Sequence, residues 1–570
     1  MSNYSQDSFL GGMNLLTDDT RLKDNEYRVG VNLRNRYDVL KPVFESVLDQ
    51  GAPLGIKQEM VTFGNYIILF VSGRAWYRYY SDTGWIPILG FEMDEFATRY
   101  WTVAVPVGLT NYVRQAASND SLNNVKRLFL EGIGQGNLPG LLVQDNKNQP
   151  RFIFLETNGK PAVRITQTYE QWNVTYDSTT LTLDKREYVP IGNSMTWTDG
   201  ILYVTSPNKE SIYRSVSGRP LDFVVNVKIT GAKGGDATTT AYSVGVGGIS
   251  CLRPIADGSL FVSASNANFL VSKNTTPNAP TEWGEYTFIR KFLFNATNLS
   301  DRTIFDSLGD TRFIDLTGVR SFNAIQYLQN EGRNSQFTSK IQLAFEGIIQ
   351  DANFAATILY DNYEFYAMQS SLGPSIVVYD TISESWASFD ISQTNGKRIK
   401  QLAKIESTIQ RLFAITEDDK LYTLYSGTKN ATAILRTSSV NFAAESQYTG
   451  KSYRVNDPSK EVKPQSARII FSEVKDSLTV KVTPFVNNRV TRVNSDPKTF
   501  PYKKPEKTYN GVVQIADTDT MLLNTLFSFP NCEQGWDAYL EIEWNSGTLT
   551  QYSYKLGDVT PMNPLNTQPN

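Results

Sequence analysis

The chain contains no histidine at all. This removes the Ser-His-Asp and Cys-His arrangements, most catalytic zinc sites and the usual general base near neutral pH. Cysteine is nearly as scarce. Cys251 and Cys532 lie far apart without a CxxC or other ligand spacing, so buried free thiols are expected rather than a disulfide or a metal site. No run approaches the roughly 18 to 20 apolar residues that span a bilayer. The polar opening Met1-Ser2-Asn3-Tyr4-Ser5-Gln6-Asp7 also lacks the basic and apolar regions of a secretion signal. The expectation is a protein made and kept in a cytoplasm, where the sequons at Asn173 and Asn295 have no meaning. Charge of one sign is missing too: 55 Lys+Arg against 58 Asp+Glu leave a net charge of −3, with no electrostatic footprint for gripping nucleic acid. A GxxxxGK[ST] phosphate loop is absent, and Gly245-Val246-Gly247-Gly248 has no Lys-Ser/Thr to reach phosphates, so it reads as a strand entry.

What is present points to β structure. With 40% hydrophobic and 20% charged residues the chain is globular, and 570 residues exceed what one ordinary core supports. Aromatics reach 12%, with 30 Tyr and 30 Phe, and the apolar segments are rich in Val, Ile and Thr, which suit a pleated surface. Units of strand, tight turn and strand recur. The first is Tyr66–Val71, a turn at Ser72-Gly73-Arg74, then Ala75–Tyr80 and Ser81–Trp85. Others start at Arg151, Asp199, Asp257 and Asp310; the clearest late copy runs from Ala356 to Phe389, and the last from Gln410 to Leu424. Six or seven such units between about residues 60 and 440 predict an irregular six- or seven-bladed β-propeller, since a blade must recur to bury both of its faces. The expected division is 1–60 as an N-terminal extension with first strands, 61–440 as the propeller, and 441–570 as a C-terminal antiparallel β domain ending in an extended arm. An excursion at about 90–150 is expected to interrupt the propeller, with a helical stretch near 123–131 and a Gly-rich connection at 132–136. A loop at 231–238 is flexible by composition. The C-terminal assignment rests on period-two alternation in Ser466–Phe471, Leu478–Pro484 and Tyr539–Trp544.

Several motifs invite a chemical reading and each has a plainer one. Ser81-Asp82-Thr83-Gly84-Trp85 is like the Asp box of sialidase propellers, but its spacing is compressed and it does not recur. Asp361, Glu364, Glu92 and Asp94 could supply a glycosidase carboxylate pair, yet carboxylates this abundant are what a solvated surface provides. Glu417-Asp418-Asp419 lacks the alternating ligand spacing of a calcium loop and reads as a β-turn. Lys503, Lys504 and Lys507, near Arg489, Arg492 and Lys498, alternate with Phe500, Tyr502 and Tyr509, superficially like a nucleic-acid surface. With Asp496 and Glu506 among them they read as an exposed loop or subunit contact. Trp85, Trp172, Trp283 and Trp386 recur late in four units, as sugar-stacking aromatics of a lectin would, or as residues that close blades. No catalytic, cofactor or metal residue is nominated.

The opening Ser8-Phe9-Leu10-Gly11-Gly12-Met13-Asn14-Leu15, followed by Leu22, Glu26, Val31-Asn32-Leu33-Arg34 and Leu40-Lys41-Pro42-Val43, resembles the start of tail nozzle and tail hub proteins of short-tailed bacteriophages, including crAss-like phages. In that family a GG-x-N segment and an N-x-R step precede the first blade. Ser211–Phe223 and the stretch from Gly248 to Val271 look like further habitual segments, so the resemblance covers residues 8 to 390 in patches. It implies a non-enzymatic virion protein of the tail, assembled in the host bacterial cytoplasm. Such subunits form a ring, a hexamer by this resemblance, below portal and adaptor proteins, carry tail fibres, and let DNA pass without specific binding. The alternatives from other classes are a propeller that binds glycans or a receptor, and a histidine-free polysaccharide-degrading enzyme.

Overall fold

A computed structural model of the chain describes residues 2–15, 22–108, 112–115, 137–156, 158–165, 170–176, 179–186, 189–215, 220–221, 223, 242–243, 247–255, 259–265, 267–273, 288–294, 298–324, 337–406, 410–439, 461–491, 496–503, 506–509, 512–515, 520–535 and 537–559. Among these, seven sets of three or four antiparallel strands follow one another along the chain and define blades one to seven, the sixth being part of a ten-stranded sheet. Their innermost strands are Lys57–Phe63, Trp101–Gly108, Met195–Thr198, Cys251–Pro254, Ile304–Ser307, Ala356–Tyr360 and Ile399–Glu406. Each lies beside the next, with the turn Asp301–Thr303 making the step from blade four to blade five, and the last lies beside the first. The fold is an all-β propeller.

The reason lies in the apolar runs. A strand with one wet face alternates apolar and polar residues; a strand buried on both faces reads as a continuous apolar run. Ile67-Ile68-Leu69-Phe70-Val71 is such a run. Ile67, Leu69 and Val71 pack against Phe413 and Ile415 of blade seven, while Ile68 and Phe70 pack against Leu141, Val143 and Ile153 of blade two. The same division recurs around the ring. Leu142 faces Leu202 and Val204 of blade three, and Ile201 and Tyr203 face Leu260 and Val262 of blade four. Phe261 faces Phe313 of blade five, and Phe365 and Val378 of blade six face Leu402 and Leu412 of blade seven. Odd and even positions of one strand thus belong to two different cores.

Polar staples cross the same interfaces. Asp145 Oδ2 accepts the Asp94 amide at 2.9 Å between blades one and two. Ser194 Oγ accepts the Leu252 amide at 3.2 Å between three and four. Arg312 holds Glu364 with bonds of 2.7 and 2.5 Å between five and six, and Lys404 Nζ donates to the Leu359 carbonyl at 2.8 Å between six and seven.

The ring is closed by the N-terminal segment. Val47–Leu48 adds to Leu421–Leu424 as the outer strand of blade seven, and the chain then enters blade one at Lys57. Asp419 bonds the Lys57 amide at 2.9 Å and the Lys400 ammonium at 2.7 Å, fastening the last blade to the first. The segment 1–60 therefore does more than extend the propeller. Ser2–Gln6 pairs with Thr548–Val559 in a four-stranded C-terminal sheet. Val29–Val31 joins Ser385–Asp390 of blade six to Ala433–Arg436, which continues into Ala538–Trp544 and Leu478–Val486. The two C-terminal sheets meet in a shared core that includes Phe471, Trp544, Tyr552 and Tyr554. The strand Ala433–Arg436 already belongs to the C-terminal sheet, ahead of the boundary expected at 441.

The excursion at 90–150 is narrower than the sequence suggests. Trp101–Gly108 and Asn137–Gln144 pair with each other as the two inner strands of blade two, because Leu141 and Val143 are needed in one interface and Leu142 in the other. Between them, Tyr112–Gln115 stands apart from the blade and joins Thr179–Arg186 and Glu170–Tyr176 in a three-stranded sheet. The helical stretch near 123–131, the connection 132–136, the loop 231–238 and the arm at 561–566 lie outside the described residues.

Candidate functional site

The innermost strands enclose an axial cavity of about 390 Å³, and every blade lines it. Blade one gives Glu59, blade two Trp101 and Thr102, blade three Met195 and Thr196, blade four Leu252 and Arg253. Asp301, Arg302 and Asp306 come from the turn and strand of blade five, Thr357 and Leu359 from blade six, and Gln401 and Lys404 from blade seven. Arg99 and Tyr100 enter from the segment before blade two. Polar residues are admitted to this lining because the inner edge of a blade, unlike its faces, has no neighbouring sheet to cover it.

The charges here are organised. Arg302 pairs with the buried Glu59, and its Nη2 also donates to the Gln58 carbonyl at 2.5 Å. Gln401 Nε2 donates to the other Glu59 oxygen and to the Met60 carbonyl at 2.8 Å, while its Oε1 accepts the Met60 amide at 2.8 Å. Arg99 pairs with Asp301 at 2.5 Å and lies 4.9 Å from the centroid of the Trp101 ring. Burial pushes the Glu59 carboxyl above its ordinary value, against the pull of Arg302 and Arg99. Burial likewise lowers the Arg302 guanidinium, against Glu59. The Nε atoms of both arginines are buried and have no hydrogen-bond partner among the described residues.

A second polar constellation surrounds the N-terminal motif. Asn32, at φ 53°, accepts bonds from the Ile391 amide at 3.0 Å, the Ser392 amide at 3.2 Å and the Ser392 hydroxyl at 2.9 Å, and donates to the Thr432 carbonyl at 3.0 Å. Two residues on, Arg34 grips Asp390. Asn14 Nδ2 donates to the buried Glu26 at 3.0 Å, Lys340 Nζ to its other oxygen at 3.1 Å, and the Lys23 amide adds a third bond at 3.1 Å. Desolvation would raise the Glu26 carboxyl, but these three donors outweigh it and hold the group below its ordinary value. The GG-x-N and N-x-R spacings place one side of the segment on blade six and the other on the C-terminal strands.

The sequence-singled residues fall elsewhere and do not converge. Glu364 is fully buried and neutralised by Arg312, with bonds from Ser307 and Tyr366. Asp361 is exposed in a turn at φ 49°, and Asp94 lies 3.4 Å from Lys147, while Glu92 is exposed. Glu417, Asp418 and Asp419 form a turn in which each carboxylate meets its own cation, Arg398, Lys420 and Lys400 respectively. Among the described residues no cluster of carboxylates or cysteines could hold a metal ion. Trp386 is buried against Tyr366, Tyr379 and Phe337. Trp85 is half-buried beneath Arg78, whose guanidinium lies 4.4 Å from its ring. Both close blades. The side chain of Trp172 and all of Trp283 lie outside the described residues, as do Lys504, Arg492 and the side chains of Lys507 and Tyr509. Arg489 and Lys498 are exposed. The axial residues went unnoticed in the sequence because they come from seven distant segments without a shared motif.

No protein-family model matches the chain, and no curated protein matches it. Among solved structures it is similar to the Dos1 propeller, with 10% identity, a TM-score of 0.34, and coverage of 68% of this chain and 97% of that one. It is also similar to PorZ, a bacterial surface component of the type-IX secretion system of Porphyromonas gingivalis, with 10% identity and a TM-score of 0.25 over 90% of this chain and 85% of that one. An exo-beta-1,3-galactanase from Phanerochaete chrysosporium gives 9% identity and a TM-score of 0.21 over 68% of this chain and all (100%) of that one. At such scores none of these likenesses bears on activity, and the class is defined by the chain's own sheets: a β-propeller fused through shared strands to a C-terminal β domain. No helix among the described residues is long and apolar enough to cross a membrane.

Proposed function

We propose that the chain is a non-enzymatic structural subunit of the tail of a short-tailed bacteriophage, assembling as a ring in the nozzle or hub. In this role it forms part of the channel through which DNA leaves, meets portal or adaptor proteins on one side and carries fibres on the other. One observation supports this above the rest. The residues behind the family resemblance, Gly12, Asn14, Asn32 and Arg34, tie blade six and the C-terminal strands into one body. A part that transmits force needs such cross-ties and few open sheet edges. A net charge of −3 suits a surface past which DNA slides, since many phosphate contacts would arrest it. In the axial cavity Glu59 and Asp301 are committed to arginines, which leaves them poor as catalytic bases.

The test is assembly. Purified protein mixed with tail intermediates lacking it is expected to sediment with them and to appear by electron microscopy as a six-fold ring at the tail end. A protein that stays monomeric at every concentration and never joins such particles overturns the proposal.

A further inference from the structure

Asparagine followed by glycine is a favoured pair in left-handed turns. It is also the pair in which a backbone amide nitrogen meets least obstruction on its way to a side-chain carbonyl carbon, because the glycine carries no side chain. Two such pairs lie among the described residues, and the fold treats them differently. Asn158-Gly159 is held. The Gly159 amide donates to the Glu156 carbonyl at 2.8 Å. Asn158 Nδ2 donates to Glu156 Oε2 at 2.9 Å, and the Lys160 amide donates to Asn158 Oδ1 at 2.7 Å. Asn395-Gly396, in the link from blade six to blade seven, is not held. Asn395, at φ 50° and ψ 40°, and Gly396, at φ 73°, are both exposed. Neither the Asn395 side chain nor the Gly396 amide has a hydrogen-bond partner among the described residues, and no atom beyond the chain neighbours lies within 4 Å of where a side chain at Gly396 would start. The link is clamped on either side of the pair. Gln393 donates to the Phe44 carbonyl at 2.8 Å and accepts the Tyr425 amide at 3.0 Å, and Arg398 Nε bonds Glu417 at 2.7 Å. Between these clamps the chain can turn about the Asn395 Cα–C bond, the motion that brings the Gly396 nitrogen onto the Asn395 side chain, without disturbing a strand.

We infer that Asn395 is a site of spontaneous covalent modification in the folded protein, deamidation through a succinimide formed with Gly396. The Gly396 amide gives its proton to hydroxide, and its nitrogen bonds to Asn395 Cγ. The Cγ–Nδ2 bond breaks, and Nδ2 leaves as ammonia after taking a proton from water, which returns the hydroxide. Water then opens the ring at one of its two carbonyls, giving aspartate where the backbone is restored or isoaspartate where it runs through the side chain. One water is consumed and one ammonia released, so no oxidant, metal or second protein is needed. The new carboxylate arises beside Lys397, which is exposed and has no ion pair among the described residues. At Asn158 the bonds to Glu156 and Lys160 must open before the same attack, and each such bond slows it by a factor of about 2 to 10. The inference is independent of a place in a phage tail.

The test is to hold the folded chain at pH 8.5 and 37 °C, quench samples in acid over several weeks, and map peptides by mass spectrometry, where each amide turned to acid gains one dalton. Asn395 is expected to convert to a mixture of aspartate and isoaspartate at least about tenfold faster than Asn158, and more slowly at pH 6, where hydroxide is scarcer. In guanidinium chloride the bonds at Asn158 are gone, and the two pairs should convert at similar rates. Asn395→Gln, whose ring would need one more member, is expected to stay an amide at 395 and to leave the rate at Asn158 as it was. Asn158 converting as fast as Asn395 in the folded chain overturns the inference. So does an Asn395 that keeps its amide in the folded chain over the time in which guanidinium chloride converts it.

Discussion

Arg34 closes on Asp390 through two parallel bonds, Nη1 to Oδ1 at 3.2 Å and Nη2 to Oδ2 at 2.7 Å, with the Asp390 carboxylate fully buried. The same guanidinium lies 4.9 Å from the Tyr425 ring centroid and 5.3 Å from that of Tyr363. Tyr425 and Ser388 donate to the carboxylate at 2.7 and 2.6 Å. Burial opposes the charge on Arg34, but Asp390 and Tyr425 more than compensate and raise its pKa. One residue from the N-terminal segment thereby links blade six to blade seven.

Arg34→Lys keeps the charge and loses both the fork and the stacking. The ammonium still faces the buried Asp390 but leaves one of its two charge-assisted bonds unmade, which costs about 1.5 to 3 kcal/mol. Urea denaturation should show that loss as a lower midpoint. A shift corresponding to less than about 1 kcal/mol would mean that the pair is incidental.

Gly12 sits at φ +69°, and a Cβ there would come within 2.5 Å of the Trp386 carbonyl oxygen. Gly12→Ala therefore meets both a strained backbone and a backbone wall that cannot move aside. The expected cost is on the order of 1 to 3 kcal/mol, and limited proteolysis should cut first within residues 1–15. An unchanged digestion pattern argues against the glycine's role as a close-approach point.

These two residues mark how far the sequence could be read. The apolar runs announced the blades, because a strand buried on both faces leaves a continuous Ile-Ile-Leu-Phe-Val signature at 67–71 that survives without its partners. Asn32 and Arg34 stood out as a motif, but nothing in their spacing said that the partners were Ser392 and Asp390, some 360 and 356 positions away. The strand Val47–Leu48 is two residues long and both are exposed, so no periodicity could reveal that it closes the ring. The axial cavity was invisible for a related reason: each blade contributes only a short piece of its inner edge, and only closure brings the pieces together.

Closure itself is testable at Asp419, which bonds the Lys57 amide and the Lys400 ammonium from a turn at φ 58°. Asp419→Ala removes both bonds. Hydrogen exchange is expected to quicken in Lys57–Phe63 and in Leu421–Leu424 while strands of blade three keep their protection. Faster exchange spread evenly over all blades would show instead that the ring opens as one unit.

The Glu26 carboxylate makes stability depend on pH in a predictable direction. Its folded pKa lies below the ordinary 4.5 because Lys23, Asn14 and Lys340 bond the charged form. Stabilisation is then complete above about pH 4.5 and is lost as pH falls through the lower, folded value. Glu26→Gln should be less stable than the parent at pH 7, and the gap between them should narrow on acidification below pH 4.5. Melting temperatures measured from pH 7 down to 3 would show it; parallel curves for parent and variant would refute it.

The two cysteines offer a clock for the opening of two separate interfaces. Cys251 is fully buried with Phe261, Phe313 and Phe322 between blades four and five, and Cys532 is buried within the core shared by the C-terminal sheets. Both are free thiols, and burial raises the pKa of each, so thiolate is scarce as well as shielded. A thiol reagent such as dithionitrobenzoate should therefore label neither in the native protein and both after denaturation. In mild denaturant the two rates separate the parts: labelling of Cys251 reports the propeller parting at one blade interface, and that of Cys532 reports the C-terminal core. Because Val29–Val31 and Ser2–Gln6 run through the C-terminal sheets and Val47–Leu48 through blade seven, the two rates should rise together in Gly12→Ala and in Arg34→Lys. If Cys532 accelerates while Cys251 does not, the N-terminal segment holds the C-terminal sheets alone and the propeller closes without it.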